Sequence, residues 1–147
     1  VKDFDSTEKL IRVSTTYHRY DRQDVLTTPK TPNSVRKVTL PDFLVDEIKG
    51  VIAKIYEPEP DDRIFQTVTA RRLSTAMKNG AAAAGIPLIR IHDLRHSHVS
   101  LLIDMKFQPL LIAERIGDTV EMVNRVYGHL YPNRHNEVAE KLEKLNF

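Results

Sequence analysis

In KLIRVSTTYHRY (residues 9–20), Leu10, Arg12 and Ser14 share one side of an extended chain and Ile11 and Val13 the other, so a period of two predicts a strand. SVRKVTL (residues 34–40) has the same signature. Between them, DVLTTPKTPNS contains Pro29, Pro32 and Asn33, which bar a continuous strand and predict a hairpin-like β segment with a stiff turn around Lys30. The period then lengthens. After Pro41 and Asp42, a start signal, Leu44, Ile48, Val51, Ile52 and Ile55 recur at helical spacing up to the EPEPDD loop.

A second helix is expected from about Thr69 through Leu73, Met77, Ala81 and Ala84, with Asn79 and Gly80 as a weak point inside it. Asp93 reads as the cap of a third, whose stripe of Leu94, His98, Leu101, Leu102 and Met105 is expected to face the core, His98 being a packed histidine. Pro109 opens a short helix that Gly117 stops. Thr119 caps another bearing Val120, Val123 and Tyr127, and Pro132 closes it. The last stretch is amphipathic through Val138, Leu142 and Leu145, with Glu137–Lys141 and Glu140–Lys144 spacings that favour a helix. These elements predict an α+β, mainly α, domain: a small antiparallel β hairpin or sheet at about 8–40, followed by a helical bundle at about 42–147.

Composition narrows this picture. A chain of 147 residues suffices for one domain with a core, and no apolar run approaches the length of a membrane span. Cysteine is absent, which excludes disulfides, thiolate metal sites and cysteine nucleophiles and is compatible with a reducing cytoplasm. Val1 is not a methionine and no targeting segment follows it, so the chain reads as a piece of something longer. A net charge of +2 does not by itself advertise a nucleic-acid binder. Basic groups do outnumber acidic ones in residues 1–40 and 61–100, with an acidic stretch at 41–60 between; one positive face and an ordinary solvated surface are equally compatible with that.

HDLRHSH (residues 92–98) carries the candidate chemistry and has two readings. His92 and His96, four apart with an acidic residue between, imitate the H-E-x-x-H zinc motif. Yet Asp93 is a methylene shorter than the usual Glu, and Arg95 would set a permanent positive charge beside a divalent cation. A phosphate site uses the same residues better. Arg95 in the first helical turn lies where free N–H groups favour an anion, and its fork matches two phosphate oxygens; His92 can share or shuttle a proton. For an isolated H-x-x-R the plainer alternative is a loop histidine and an arginine paired with a carboxylate.

The surrounding sequence changes that balance. IHDLRHSHVSLL followed by LLIAERIGDTVEMVNRVYGHLYP resembles the catalytic domain of the tyrosine recombinases, the phage-integrase family. His92 and Arg95 match the family's H-x-x-R pair, Ile116-Gly117-Asp118 stands where L-G-H is usual, and Tyr127 follows nine residues after Asp118. TTPKTPNSVRKVTLP resembles the family's β hairpin and places Lys30 on its lysine. The resemblance runs from about Val1 to Tyr131, so residues 1–147 are read as part of such a domain.

The resemblance implies a site-specific recombinase or integrase of a mobile element. Tyr127 would attack a DNA phosphodiester to give a 3'-phosphotyrosine link and a free 5'-hydroxyl, with Arg95 as phosphate clamp, His92 as proton partner and Lys30 as acid for the leaving oxygen. No metal or cofactor is implied. Arg71, Arg72 and Arg36 are candidate DNA contacts, although exposed arginines usually serve solubility. Without the resemblance, Tyr127 would be a core tyrosine and Lys30 a turn lysine; Tyr131 loses to Tyr127 on spacing.

The implied partner is duplex DNA bound by a homotetramer, with accessory DNA-bending proteins, in the cytoplasm of a bacterial or phage-infected cell. The helix after Arg134 is a candidate for packing on a neighbour. Two departures stand out. The family's first catalytic arginine belongs to an L-R-x-x-E helix that should precede VKDFDS, so the 147 residues alone are expected to have little activity. Asp118 accepts hydrogen bonds where a histidine or tryptophan would donate one to phosphate, which suggests that it orients Arg95, His129 or the tyrosine hydroxyl. A DNA-binding module without chemistry, and a metal hydrolase on His92 and His96, are the competing functions.

Overall fold

The computed structural model describes residues 1–21, 23–132 and 135–145. Strand β1 (Phe4–Asp5) pairs antiparallel with β2 (Leu10–Val13), which pairs with β5 (Arg36–Thr39) to make a three-stranded sheet. Between β2 and β5 a separate hairpin projects, β3 (Thr16–Tyr20) against β4 (Gln23–Thr27). The KLIRVSTTYHRY stretch is thus two strands belonging to two sheets, parted at Ser14 and Thr15.

The hairpin reverses direction between Tyr20 and Gln23, not around Lys30 as expected, and Asp21 there takes φ 45°. Two-residue hairpin turns require left-handed backbone, which aspartate tolerates better than most residues. Pro29 and Pro32 act later, on the return path. Lys30 lies there, just before a 3-10 turn at Pro32–Ser34 that delivers the chain to β5. The β region also begins earlier than the pattern indicated, at Phe4.

Among the described residues six α-helices follow: α1 (Asp42–Ile52), α2 (Ala70–Ala84), α3 (Asp93–Asp104), α4 (Pro109–Ile116), α5 (Val120–Tyr127) and α6 (His135–Glu143). Thr69 caps α2 by accepting from the Arg72 N–H, and Asn79-Gly80 does not interrupt it. The helix closes at Gly85, φ 64°. None of its residues is buried. Gly117, φ 71°, ends α4, and Thr119 caps α5 by accepting from the Met122 N–H, both where the sequence places them.

Two small cores result. Leu40, Val45 and Ile48 form one beneath the three-stranded sheet, joined by Phe4, Ile11, Val38, Ile52 and Ile64. Leu44, expected in this stripe, is exposed; Val45 takes its place one position on. The second core joins α3, α4 and α5 through Val99, Ile103, Ile112, Ala113, Ile116, Val123 and Tyr127. Here α3 is rotated from expectation: Leu94, Leu101 and Met105 are exposed, and Val99 and Ile103 face inward. Apolar residues occur all round this helix, so periodicity alone left its inward face ambiguous.

Asp93 is the first residue of α3 rather than a cap ahead of it. Its carboxylate reaches back to the Arg90 N–H at 2.9 Å and pairs with the Arg90 guanidinium at 2.8 Å. Val138 and Leu142 on α6 and Leu145 just past its end are exposed, and Lys141 pairs with Glu137 at 2.8 Å. Arg134, the sequence marker for the start of this helix, lies outside the described residues. No helix among the described residues is long and apolar enough to cross a membrane.

Candidate active site

The two cores meet at a polar seam that organises the site. Arg36 on β5 donates through Nε to the Arg115 carbonyl at 2.9 Å and through Nη1 to the Ser34 carbonyl at 2.9 Å. Arg115 returns to the sheet, donating from Nη1 to the Thr39 carbonyl at 3.0 Å, and its Nε donates to His98 Nε2 at 3.1 Å. These bonds fix the C-terminal end of α4 against β5. Burial, and after it the charge of Arg95, lower the Arg36 guanidinium below its ordinary value. Arg36, a candidate DNA contact, has Nε and Nη1 engaged inside the protein.

Gly117 is required at this seam. A Cβ there would lie 2.6 Å from Arg36 Nη1 and 3.1 Å from the Asn33 carbonyl oxygen, and the backbone has φ 71°. The tight turn puts the Ile116 carbonyl and the Asp118 carboxylate side by side. Arg95, in the first turn of α3, donates to both: Nη1 to Ile116 O at 2.7 Å and Nη2 to Asp118 Oδ2 at 3.1 Å. Of the three groups that Asp118 is expected to orient, the one it hydrogen-bonds among the described residues is Arg95. Its Oδ1 accepts from the Thr119 N–H at 2.9 Å, so the start of α5 is tied to the same carboxylate.

Tyr127 closes the site from the end of α5. Its ring completes the helical core and its side chain is 7% exposed. The hydroxyl meets His96 Nδ1 at 2.7 Å. Burial raises the phenol above its ordinary pKa, while Arg95 lowers and Asp118 raises it through space, so both charges lie close enough to act on this oxygen. His92 is exposed and touches His96 edge to face, ring centroids 5.2 Å apart. The structure therefore brings together His92, Arg95, Asp118 and Tyr127.

Lys30 is exposed on the return from the β3–β4 hairpin and forms no hydrogen bond or ion pair among the described residues. Arg71 and Arg72 are exposed on α2, and Arg72 Nη1 donates to the Thr67 carbonyl at 3.0 Å. Tyr131 packs against the helical core, with a hydroxyl that has no hydrogen-bond partner among the described residues.

The chain is 36% identical over 157 aligned residues to the ICEBs1 integrase of Bacillus subtilis (strain 168), an alignment covering 98% of this chain and 43% of that protein. The chain belongs to the tyrosine recombinase (integrase) family. A second relative of this integrase chain is the integrase of Staphylococcus phage L54a, 29% identical, with 99% of this chain and 46% of that one aligned. The chain spans less than half the length of these relatives.

Among solved structures, the Tn1549 transposon integrase in complex with circular intermediate DNA has the same fold, with a TM-score of 0.73 at 18% identity over 98% of this chain and 52% of that one. No family model matches.

Sequence reasoning missed His96 as a neighbour of the tyrosine, having weighed it only as a zinc ligand. Its four-residue spacing from His92 put both on one side of α3, which was the available signal. Among the described residues no group of three or more His, Cys, Asp or Glu is arranged to hold a metal, and His96 Nδ1 faces a phenol.

Proposed function

We propose that this integrase chain is part of the catalytic domain of a site-specific recombinase that cleaves and rejoins duplex DNA through a 3'-phosphotyrosine bond, for integration or excision of a mobile element. The observation that carries the reading is the convergence of Tyr127 and Arg95: a phenol and a guanidinium from residues 32 apart in sequence lie close enough to act on each other through space, with Asp118 paired to that guanidinium.

In this reading Tyr127 Oη attacks phosphorus, and the Arg95 fork holds the non-bridging oxygens while charge builds on them. His92, exposed at the start of α3, is positioned to share a proton with the same phosphate. Lys30 supplies the proton for the departing 5' oxygen, carried in on the segment that follows the β3–β4 hairpin. Because the phosphotyrosine link conserves the bond energy, rejoining needs no nucleotide cofactor. Arg71 and Arg72 on the exposed face of α2 are suited to contact DNA backbone.

The partner is duplex DNA, bound as a homotetramer with accessory bending proteins in the bacterial cytoplasm. The 147 residues alone have little strand-cleaving activity, since the family's first arginine and its L-R-x-x-E helix are not among them.

The test is a nicked suicide substrate incubated with the full-length protein. A covalent protein–DNA adduct that disappears in Tyr127→Phe is the expected result. DNA binding with no adduct from the parent protein means a binding module of the same fold, and retention of the adduct in Tyr127→Phe rules out this nucleophile.

A further inference from the structure

We propose that His96 is the base that removes the phenolic proton of Tyr127 as its oxygen bonds to phosphorus, and that returns it when the strand is rejoined. The assignment rests on the reading of Tyr127 as nucleophile and adds the group that activates it.

The geometry is direct. His96 Nδ1 lies 2.7 Å from Tyr127 Oη, with the two ring centroids 5.7 Å apart. A neutral imidazole protonated at Nε2 presents the Nδ1 lone pair to the phenol, which then donates. The other groups near the hydroxyl are poorly suited to this step. Arg95 is a permanent cation and cannot accept a proton. Asp118 has Oδ2 on the Arg95 guanidinium and Oδ1 on the Thr119 N–H. His92 reaches the tyrosine only through His96, which it meets edge to face.

A base is needed because the hydroxyl sits at the edge of the helical core. Burial pushes its ionisation above the ordinary phenol range, so few molecules carry a phenolate at neutral pH. Moving the proton in the transition state avoids forming that phenolate first.

The step balances. The Oη–P bond forms and the P–O5' bond breaks; the phenolic proton passes to Nδ1, and the 5' oxygen takes a proton from Lys30. Nothing is oxidised or reduced. The imidazolium is then held one helical turn from Asp93, close enough for the two charges to attract. On rejoining, the 5'-hydroxyl attacks and gives its proton back to Lys30, the tyrosine oxygen leaves, and His96 returns its proton to that oxygen. His92 remains free to face the phosphate, so the two histidines of HDLRHSH divide the work between nucleophile and substrate.

The groups facing His96 are His92 and Asp93 from its own helix and Tyr127 from α5, with Arg95 and Asp118 acting on the phenol. The experiment measures covalent adduct formation by the full-length protein on the nicked suicide substrate across pH, in His96→Asn and His96→Gln beside the parent. Either amide can keep a hydrogen bond to the phenol but cannot take its proton near neutral pH.

Both variants are expected to bind DNA and melt like the parent, to cleave about 100-fold or more slowly, and to lose the acid-side fall in rate that marks protonation of the base. Cleavage within about threefold of the parent in either variant overturns the assignment. So does a slow variant that keeps the parent's acid limb, which would make His96 a structural prop, and so does a faster one, which would make it a lock. Tyr127→Phe runs alongside: an adduct persisting there overturns the nucleophile itself and not merely its base.

Discussion

Arg95 and Asp118 face each other across the Gly117 turn, Nη2 to Oδ2 at 3.1 Å, and this pair is the point on which the site's geometry depends. Both side chains are about one-third exposed, so the pair is reachable by an arriving phosphate and its attraction is weakened by solvent. Its value lies in orientation. Asp118→Ala leaves Arg95 held by the Ile116 carbonyl alone, free to pivot about that bond. Full-length Asp118→Ala is expected to cleave a suicide substrate about 10- to 100-fold more slowly with DNA affinity little changed, because misplacement of a clamp by an ångström costs on that scale. An unchanged cleavage rate would remove Asp118 from the machinery.

Arg36 and Gly117 are expected to be energetically coupled. Alanine at position 117 must adopt φ 71° and displace the Arg36 guanidinium from the Arg115 and Ser34 carbonyls. Gly85 has a similar φ, 64°, with nothing within 4 Å of a Cβ, so it reports the backbone cost alone. Chemical denaturation is expected to show Gly85→Ala costing about 1–2 kcal/mol. Gly117→Ala should cost about 2–5 kcal/mol, since crowding adds to the backbone term. In an Arg36→Ala background the cost at Gly117 should fall toward that at Gly85, and strict additivity of the two substitutions would show that Arg36 is not what crowds the turn.

The helix boundaries around the site were legible in the sequence because they rest on local chemistry. Thr119 caps through its own hydroxyl, Pro109 opens α4, Gly117 supplies left-handed backbone where α4 stops, and α2 starts just after Thr69. The ordered spacing of His92, Arg95, Asp118 and Tyr127 likewise carried the family resemblance, and the fold unites them. What failed was long-range. On α1 the expected face holds at Ile48 and Ile52 and departs at Leu44, and on α3 it holds at Leu102 and departs at Leu94, Leu101 and Met105, because apolar residues lie on more than one face and only the partner decides which is covered: Val45 over Leu44, Val99 over Leu94. Prolines are loud signals and point to a turn around Lys30, whereas the actual reversal follows Tyr20. The Arg36 to Arg115 seam joins residues 79 apart, and no local pattern announces such a bond.

The entry to α3 is expected to weaken in acid. The Arg90 side chain and then its backbone N–H hold the Asp93 carboxyl down from 3.8 to about 2. A carboxyl with a depressed folded-state value contributes stability above its unfolded value, and that contribution is lost as pH falls from about 3.8 through about 2. Asp93→Asn cannot titrate, so its denaturation midpoint should change less than the parent's between pH 5 and pH 2. Parallel curves for the two proteins over that window would show that the pair does not stabilise the fold.

The seam between sheet and helices should respond to a different pH range through His98. Its Nε2 accepts from Arg115 Nε at 3.1 Å, a bond that only the neutral imidazole can accept. Burial, and after it the charge of Arg115, lower its pKa below the ordinary 6.5. A histidine held neutral in the fold contributes its stability in full above the unfolded value of 6.5, and loses it as pH falls through the lower folded value. Glutamine at this position keeps an acceptor oxygen but no proton to gain. The parent's thermal midpoint is therefore expected to drop between pH 7.5 and pH 5 by more than that of His98→Gln. Because the other five histidines are common to both proteins, the difference between the two curves belongs to His98, and its absence would mean that the Arg115 bond is dispensable to the seam.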